Sequence, residues 1–223
     1  MPLNRLNFVV YDFETGGLKP GWHEAVEIGA KVYGPNFEPI PEAEFVSLMK
    51  PLYPDRLDKK ALEVNGRTVE ELMAAPEQGA VWKKFVGWVG QYNVKGAGFG
   101  GLPIACGKNI RRFDHLFVDE LNALHMPKKR DTKIFCNRID IDLEDFLFHW
   151  HCHDDDLEKY AMDPVRDYYG LSRDGAHGAL VDCRQTGAMI MRYLKFCKSL
   201  RFKKDESGET VSRFKGSFAG MAI

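Results

Sequence analysis

Three groups of residues in this sequence have types and spacings that could do chemistry. The first is Asp12-Phe13-Glu14-Thr15-Gly16-Gly17, which ends the apolar, β-prone run Phe8-Val9-Val10-Tyr11. Residues two apart on a strand project from one face, so Asp12 and Glu14 set two carboxylates side by side. The pair repels itself, and a divalent cation between them removes the repulsion, because hard Mg²⁺ or Mn²⁺ prefers oxygen donors. The plainer alternative is a strand end whose acids face water. The second group is Gly107-Lys108-Asn109-Ile110-Arg111-Arg112-Phe113-Asp114, where Asp114 opens an apolar stripe of Leu116, Phe117 and Leu121. An acid there is also what a helix dipole favours on its own. The third is His177-Gly178-Ala179-Leu180-Val181-Asp182. Residues five apart on one helix lie about 140° apart, so His177 and Asp182 converge only if His177 precedes the helix. Asp174-Gly175 supports a loop there. A loop histidine beside a helix-borne carboxylate suits a proton acceptor near a metal, against the alternative of a surface histidine before an ordinary helix.

The elements that must position these groups follow from apolar patterning. Phe8 to Tyr11 reads as a buried strand stopped by glycines, Ala25 to Tyr33 as a second strand closed by Gly34-Pro35, and residues 44–49 as a third closed by Pro51. Short turns between them predict an antiparallel meander. Thr68 followed by Glu71 predicts a capped helix start. Residues 81–89 place Val81, Phe85, Trp88 and Val89 on one helix face. A short strand is expected at 103–106, a helix from about Phe113 to Leu124, and a long helix over 179–196. Strands first, then strands alternating with helices, predict an α/β fold with a mixed sheet flanked by helices. The reading gives one domain over residues 1–200, with an acidic surface insertion at 139–170, and a loosely ordered tail over 201–223.

Composition excludes other classes. Hydrophobic residues are 44% and charged residues 28% of 223, an ordinary globular balance. No apolar run is long enough for a bilayer and the first residues lack a signal-peptide core, so no membrane partner is expected and a cytoplasmic location is, with nuclear or organellar delivery left open. Five scattered cysteines predict reduced thiols. Net charge is −1, so no broad basic surface exists and any phosphate contact needs a local basic patch or a bound metal. Residues 139–167 hold ten acids against Lys159 and Arg166, whereas residues 195–223 hold seven bases against three acids. Lys128-Lys129-Arg130 with Lys133 reads as a solvated face or a guide for a polyanion. His149-Trp150-His151-Cys152-His153 offers four zinc-type ligands, but neighbouring residues on one element cannot all face one ion.

Together the three groups resemble the DEDDh (DnaQ-like) 3′→5′ exonuclease superfamily, over about Phe8 to Leu194. Its first motif is matched by Asp12 to Gly17, its second by Asn109 to Asp114 and its third by His177 to Asp182. The family more often has two residues between the asparagine and Phe-Asp. Here Ile110-Arg111-Arg112 makes three, so either the helix starts one residue later or Asn109 plays no family role. The resemblance implies a ribonuclease-H-like mixed five-stranded sheet with its first three strands antiparallel. It implies two Mg²⁺ or Mn²⁺ ions per site, with Asp12 bridging them, Glu14 and Asp182 completing one site and Asp114 holding the other. His177 would accept the proton of the attacking water, and nucleoside 5′-monophosphates would leave. Glu14 and the backbone N–H groups near Thr15, Gly16 and Gly17 would recognise a 3′-hydroxyl. Asn65, in Leu62-Glu63-Val64-Asn65-Gly66, would pack on the terminal base, with Asn109 and Phe113 as further contacts; for Phe113 a core role competes. The expected partner is the 3′ end of single-stranded DNA or RNA, DNA being favoured, with a separate polymerase or replication protein as a further partner and a monomer or homodimer as the assembly. The third motif is similar to that of oligoribonucleases, which keeps RNA trimming as an alternative, and an inactive binding module on the same fold is a third.

Overall fold

The structure, a computed structural model, describes residues 5–127, 133–153, 155, 157–204 and 207–213. The β1 strand, Phe8–Thr15, is buried almost throughout, because helices cover both faces of the sheet around it. Antiparallel to it runs β2 (Ala25–Tyr33), and antiparallel to β2 runs β3 (Pro39–Leu48). On its other side β1 pairs in parallel with β4 (Ile104–Gly107), which pairs in parallel with β5 (Asp140–Asp142). The order is β3-β2-β1-β4-β5, the mixed five-stranded sheet expected. β3 starts earlier than residue 44, since its first residues form a mostly exposed edge with no apolar alternation to mark them.

Alternation along β1 divides the core. Val9, Tyr11 and Phe13 pack with Trp82 and Phe85 of α3, after the short helices α1 (Lys59–Asn65) and α2 (Val69–Ala74), and with Phe117 and Leu121 of α4. The α3 helix spans Gln78–Gly90 and α4 spans Asp114–His125. Phe8 and Val10 face the other way, toward Leu143 and Leu147 of α5 (Leu143–His151), Val165 of α6 (Met162–Tyr169), and Cys183 and Ile190 of α7 (Ala179–Ser199). Asp12 and Glu14 continue this second series, so the period of two delivers both carboxylates to the α7 side. Thr68 and Glu71 form the expected reciprocal cap of α2. In α3 it is Trp82, not Trp88, that is fully buried, and its indole N–H donates to Asn122 Oδ1 at 3.0 Å.

Two expectations change. The 139–170 stretch is not a surface addition: it supplies β5, α5 and α6, and Leu143, Leu147 and Val165 are wholly buried. Its acids mask an apolar pair four residues apart, Leu143 and Leu147, which gives α5 its inner face. In the tail, β6 (Phe202–Lys204) and β7 (Thr210–Ser212) form a hairpin outside the main sheet; residues 205, 206 and 214–223 lie outside the described residues, as do Lys128, Lys129 and Arg130. Among the described residues no helix is long and apolar enough to cross a membrane, and all five cysteines are free.

One glycine lets α7 reach the sheet. Gly29 stands opposite Asp12 in the β1–β2 register, and a Cβ there would come within 2.3 Å of the Ala179 carbonyl carbon and 2.4 Å of the Leu180 nitrogen. Those are backbone atoms, which cannot swing aside. Cys183 adds its Sγ to the Gly29 carbonyl at 3.2 Å. Gly29→Ala should therefore push back the first turn of α7, destabilise the protein by about 1–3 kcal/mol and lower its melting temperature by roughly 2–12 °C. A thermal melt unchanged from the parent would show that helix and strand do not need this contact.

Candidate active site

The acids meet where β1 ends. One carboxylate oxygen each from Asp12, Glu14 and Asp182 lies within 4.8 Å of the others, and these three form the only His, Cys, Asp or Glu group of that kind among the described residues. Asp12 and Glu14 arrive from the strand, and Asp182 from the first turn of α7, whose close approach Gly29 permits. Asp114 comes from the opposite layer. It opens α4, is buried, and its Oδ1 accepts the Phe13 N–H at 3.1 Å, between the two strand acids in sequence.

Desolvation and like charge dominate the electrostatics here. Burial, then the charges of Asp114, Glu14 and Asp182, pushes Asp12 well above the ordinary carboxylate range, with Lys108 opposing. Burial, followed by Asp182, Glu27 and Asp114, raises Glu14 to about 8, with Arg67 opposing. Burial raises Asp114 to about 7, against the N–H bond from Phe13. Such a set holds protons or a cation, and its donors are all oxygens, which fits Mg²⁺ or Mn²⁺ rather than a soft metal.

Basic groups then fix individual acids. Arg166, fully buried in α6, pairs with Asp182 Oδ1, donates from Nη1 to Asp163 Oδ1 at 2.8 Å and from Nε to Gln185 Oε1 at 2.8 Å. Arg67 pairs with the buried Glu27, which stands opposite Glu14 in the strand register. His177 lies on the turn just before α7 in a left-handed conformation (φ 64°), half-exposed, with Nε2 3.8 Å from Asp163 Oδ2. Sequence reasoning missed Arg166, Asp163 and Gly29. For Arg166 a signal existed: it is one of only two bases among ten acids, a ratio that asks for an internal partner.

The remaining predicted contacts divide. Thr15 Oγ1 donates to the Gly17 carbonyl at 2.9 Å, and the Thr15 carbonyl accepts Asn65 Nδ2 at 3.0 Å, so Asn65 stands beside the strand end. Gly16 N–H donates to the Glu24 carbonyl at 2.8 Å, which corrects the expectation that it is free for a 3′-hydroxyl. A Cβ on Gly17 would meet the His23 ring at 2.6 Å. Asn109, with φ 56°, gives its N–H to Asp142 Oδ1 at 2.7 Å and takes no part in the acid group. The extra residue of this segment is absorbed in a turn, where the Arg112 and Phe113 N–H groups both return to the Asn109 carbonyl. Phe113 meets Phe117 edge-on at 5.1 Å against the core, as its packing alternative required. The histidines around Trp150 do not assemble: His149 is exposed, whereas His151 is buried with Nε2 2.8 Å from the Tyr169 hydroxyl.

Comparison with known proteins agrees with this geometry. Residues 9–190 match the RNase T family model, described as exonuclease. The PolC-type DNA polymerase III of Thermotoga maritima is 27% identical over 200 residues, 88% of this chain but 12% of the polymerase. Exonuclease I of E. coli in complex with a dT13 oligonucleotide has a similar fold, with TM-score 0.70 and 19% identity over 91% of this chain and 45% of that one. The moderately thermophilic exonuclease I of Methylocaldum szegediense gives TM-score 0.66 and 19% identity over 88% and 43%. The chain thus spans about an eighth of the curated relative and under half of these structures.

Raised carboxylates make the metal-free protein sensitive to pH in a definite direction. Each holds its proton more tightly folded than unfolded, so its stabilising contribution is present below the unfolded value and is lost as pH rises through the folded one. In EDTA the melting temperature should fall between about pH 5 and pH 8, the window set by Glu14 and Asp114. Mn²⁺ must displace those protons, so it should raise the melting temperature more at the upper end of that window. Glu14→Gln should flatten both trends; equal slopes in parent and variant would dissociate them from this site.

Proposed function

The chain belongs to the DEDDh exonuclease family of 3′→5′ nucleic-acid hydrolases, and from that premise we propose that it removes nucleotides singly from the 3′ end of a single strand, DNA in preference to RNA. The observation that carries the reading is the convergence of Asp12, Glu14 and Asp182 from strand and helix within 4.8 Å. Asp114 joins them, and His177 stands on the adjoining turn. The preference for DNA is supported by the DNA polymerase relative.

In this reading Asp12, Glu14, Asp114 and Asp182 hold two Mg²⁺ or Mn²⁺ ions. Bound divalent ions supply Lewis-acid polarisation of the phosphodiester and a lowered pKa for the attacking water. The protein's own contribution is position and proton transfer. His177 accepts the proton of the attacking water at an imidazole nitrogen and, being half-exposed, passes it on to solvent. Arg166 keeps the Asp182 carboxylate in one orientation. Thr15, Gly17 and Asn65 line the strand end where the terminal nucleotide is read, and Gly16 shapes that turn through its backbone. Attack breaks the bond to the 3′-oxygen of the next nucleotide, which takes a proton from solvent, so a nucleoside 5′-monophosphate leaves and a new 3′-hydroxyl remains.

Oligonucleotides of DNA and RNA carrying a 5′ label separate the possibilities. The expected result is a ladder shortening from the 3′ end, dependent on Mg²⁺ or Mn²⁺, faster for DNA and abolished by Asp12→Ala. Asn65→Ala should raise KM more than it lowers kcat. No cleavage of either strand with either metal would refute the proposal and favour a binding module, while faster RNA shortening would transfer it to RNA trimming.

A further inference from the structure

Large exposed apolar side chains cluster beside the strand end. Leu18 is 81% exposed, Trp22 54% and Tyr53 45%. Trp22 and Tyr53 are thirty-one positions apart in sequence, yet one guanidinium joins them: Arg56 Cζ lies 4.4 Å from the Trp22 ring centroid and 3.9 Å from that of Tyr53. Cation–π contact of this kind orients the three side chains relative to one another.

The two loops bearing this cluster are tied to the catalytic strand by their backbones. Gly16, two residues beyond Glu14, donates to the Glu24 carbonyl at 2.8 Å and accepts the Asp58 N–H at 2.8 Å. The Glu24 carboxylate accepts the N–H groups of Leu52 and Tyr53, at 3.1 and 2.8 Å, which locks one loop to the other. Nearby acids are thereby occupied: Glu24 holds those amides, and Asp58 caps α1 through the Lys60 N–H. The Arg56 guanidinium thus lies against both aromatic rings of loops tied to the catalytic strand.

We propose that Trp22 and Tyr53, braced by Arg56, are a stacking platform for unpaired bases of the strand whose end enters the acid site, with Arg56 meeting a backbone phosphate. This rests on the exonuclease reading and deepens it by assigning the nucleotides next to the scissile one. The chemistry selects single strands, because a paired base keeps its faces inside the duplex and offers none to an aromatic ring.

Intrinsic fluorescence tests this in the intact protein, with an oligothymidylate of about ten nucleotides and EDTA to prevent cleavage. Binding should quench tryptophan emission in the parent. Trp22→Phe should remove most of that quench while keeping Kd within about threefold, since the smaller ring still stacks. Trp22→Ala should weaken binding about tenfold (about 1.4 kcal/mol) and raise KM in parallel, with kcat within twofold, as loss of one base stack requires. Tyr53→Ala should act in the same sense. A parent that cleaves, alongside Trp22→Ala and Tyr53→Ala variants that bind within twofold of it, would overturn the platform alone. A parent that neither binds nor cleaves any strand would overturn the exonuclease reading, and the platform with it.

Discussion

The repulsion among four carboxylates drawn out of water is the constraint to which the rest of this molecule answers. Asp12, Glu14, Asp114 and Asp182 come from three elements, and burial lifts the pKa of the first three. Left alone, such a group would spread apart or stay protonated. Around it the chain places devices that hold it together: the Phe13 N–H on Asp114, Arg166 on Asp182, Arg67 on the neighbouring Glu27, and Lys108 near Asp12. None of these fully neutralises the charge, so the group holds protons or a cation.

Rigid elements carry the acids, whereas Gly16, Gly17 and His177 lie outside the strands and helices. Asp12 and Glu14 sit on a strand buried almost throughout, where helices on both faces leave little freedom. Asp182 inherits that rigidity through Gly29, which brings backbone onto backbone. His177, by contrast, stands on a left-handed turn and shares Asp163 with Arg166, so one α6 carboxylate touches both the histidine and the arginine that pairs with Asp182.

Much of this was legible in the sequence, for reasons that particular residues make plain. The period of two in Phe8-Val9-Val10-Tyr11-Asp12-Phe13-Glu14 specifies both the strand and the shared face of its acids. The Thr68–Glu71 cap is local chemistry and needs no tertiary information. What escaped depends on contacts between distant segments. Arg166 stands out by composition alone, but its partner Asp182 is fixed only once α6 is folded onto α7, and Gly29 is one glycine among many until Ala179 is seen against it. The 139–170 stretch misled because ten acids over 139–167 dominate a composition reading, while two leucines one turn apart decide the packing. Gly16 misled differently: its N–H suggested a free donor, yet the neighbouring loop had already claimed it.

Anomalous scattering from crystals soaked in Mn²⁺ would decide whether these acids form a divalent-metal centre. A manganese peak in contact with Asp12, Glu14 and Asp182 together is expected, with its loss in Asp182→Asn. An empty acid group in well-soaked crystals, or manganese bound only elsewhere, would contradict it.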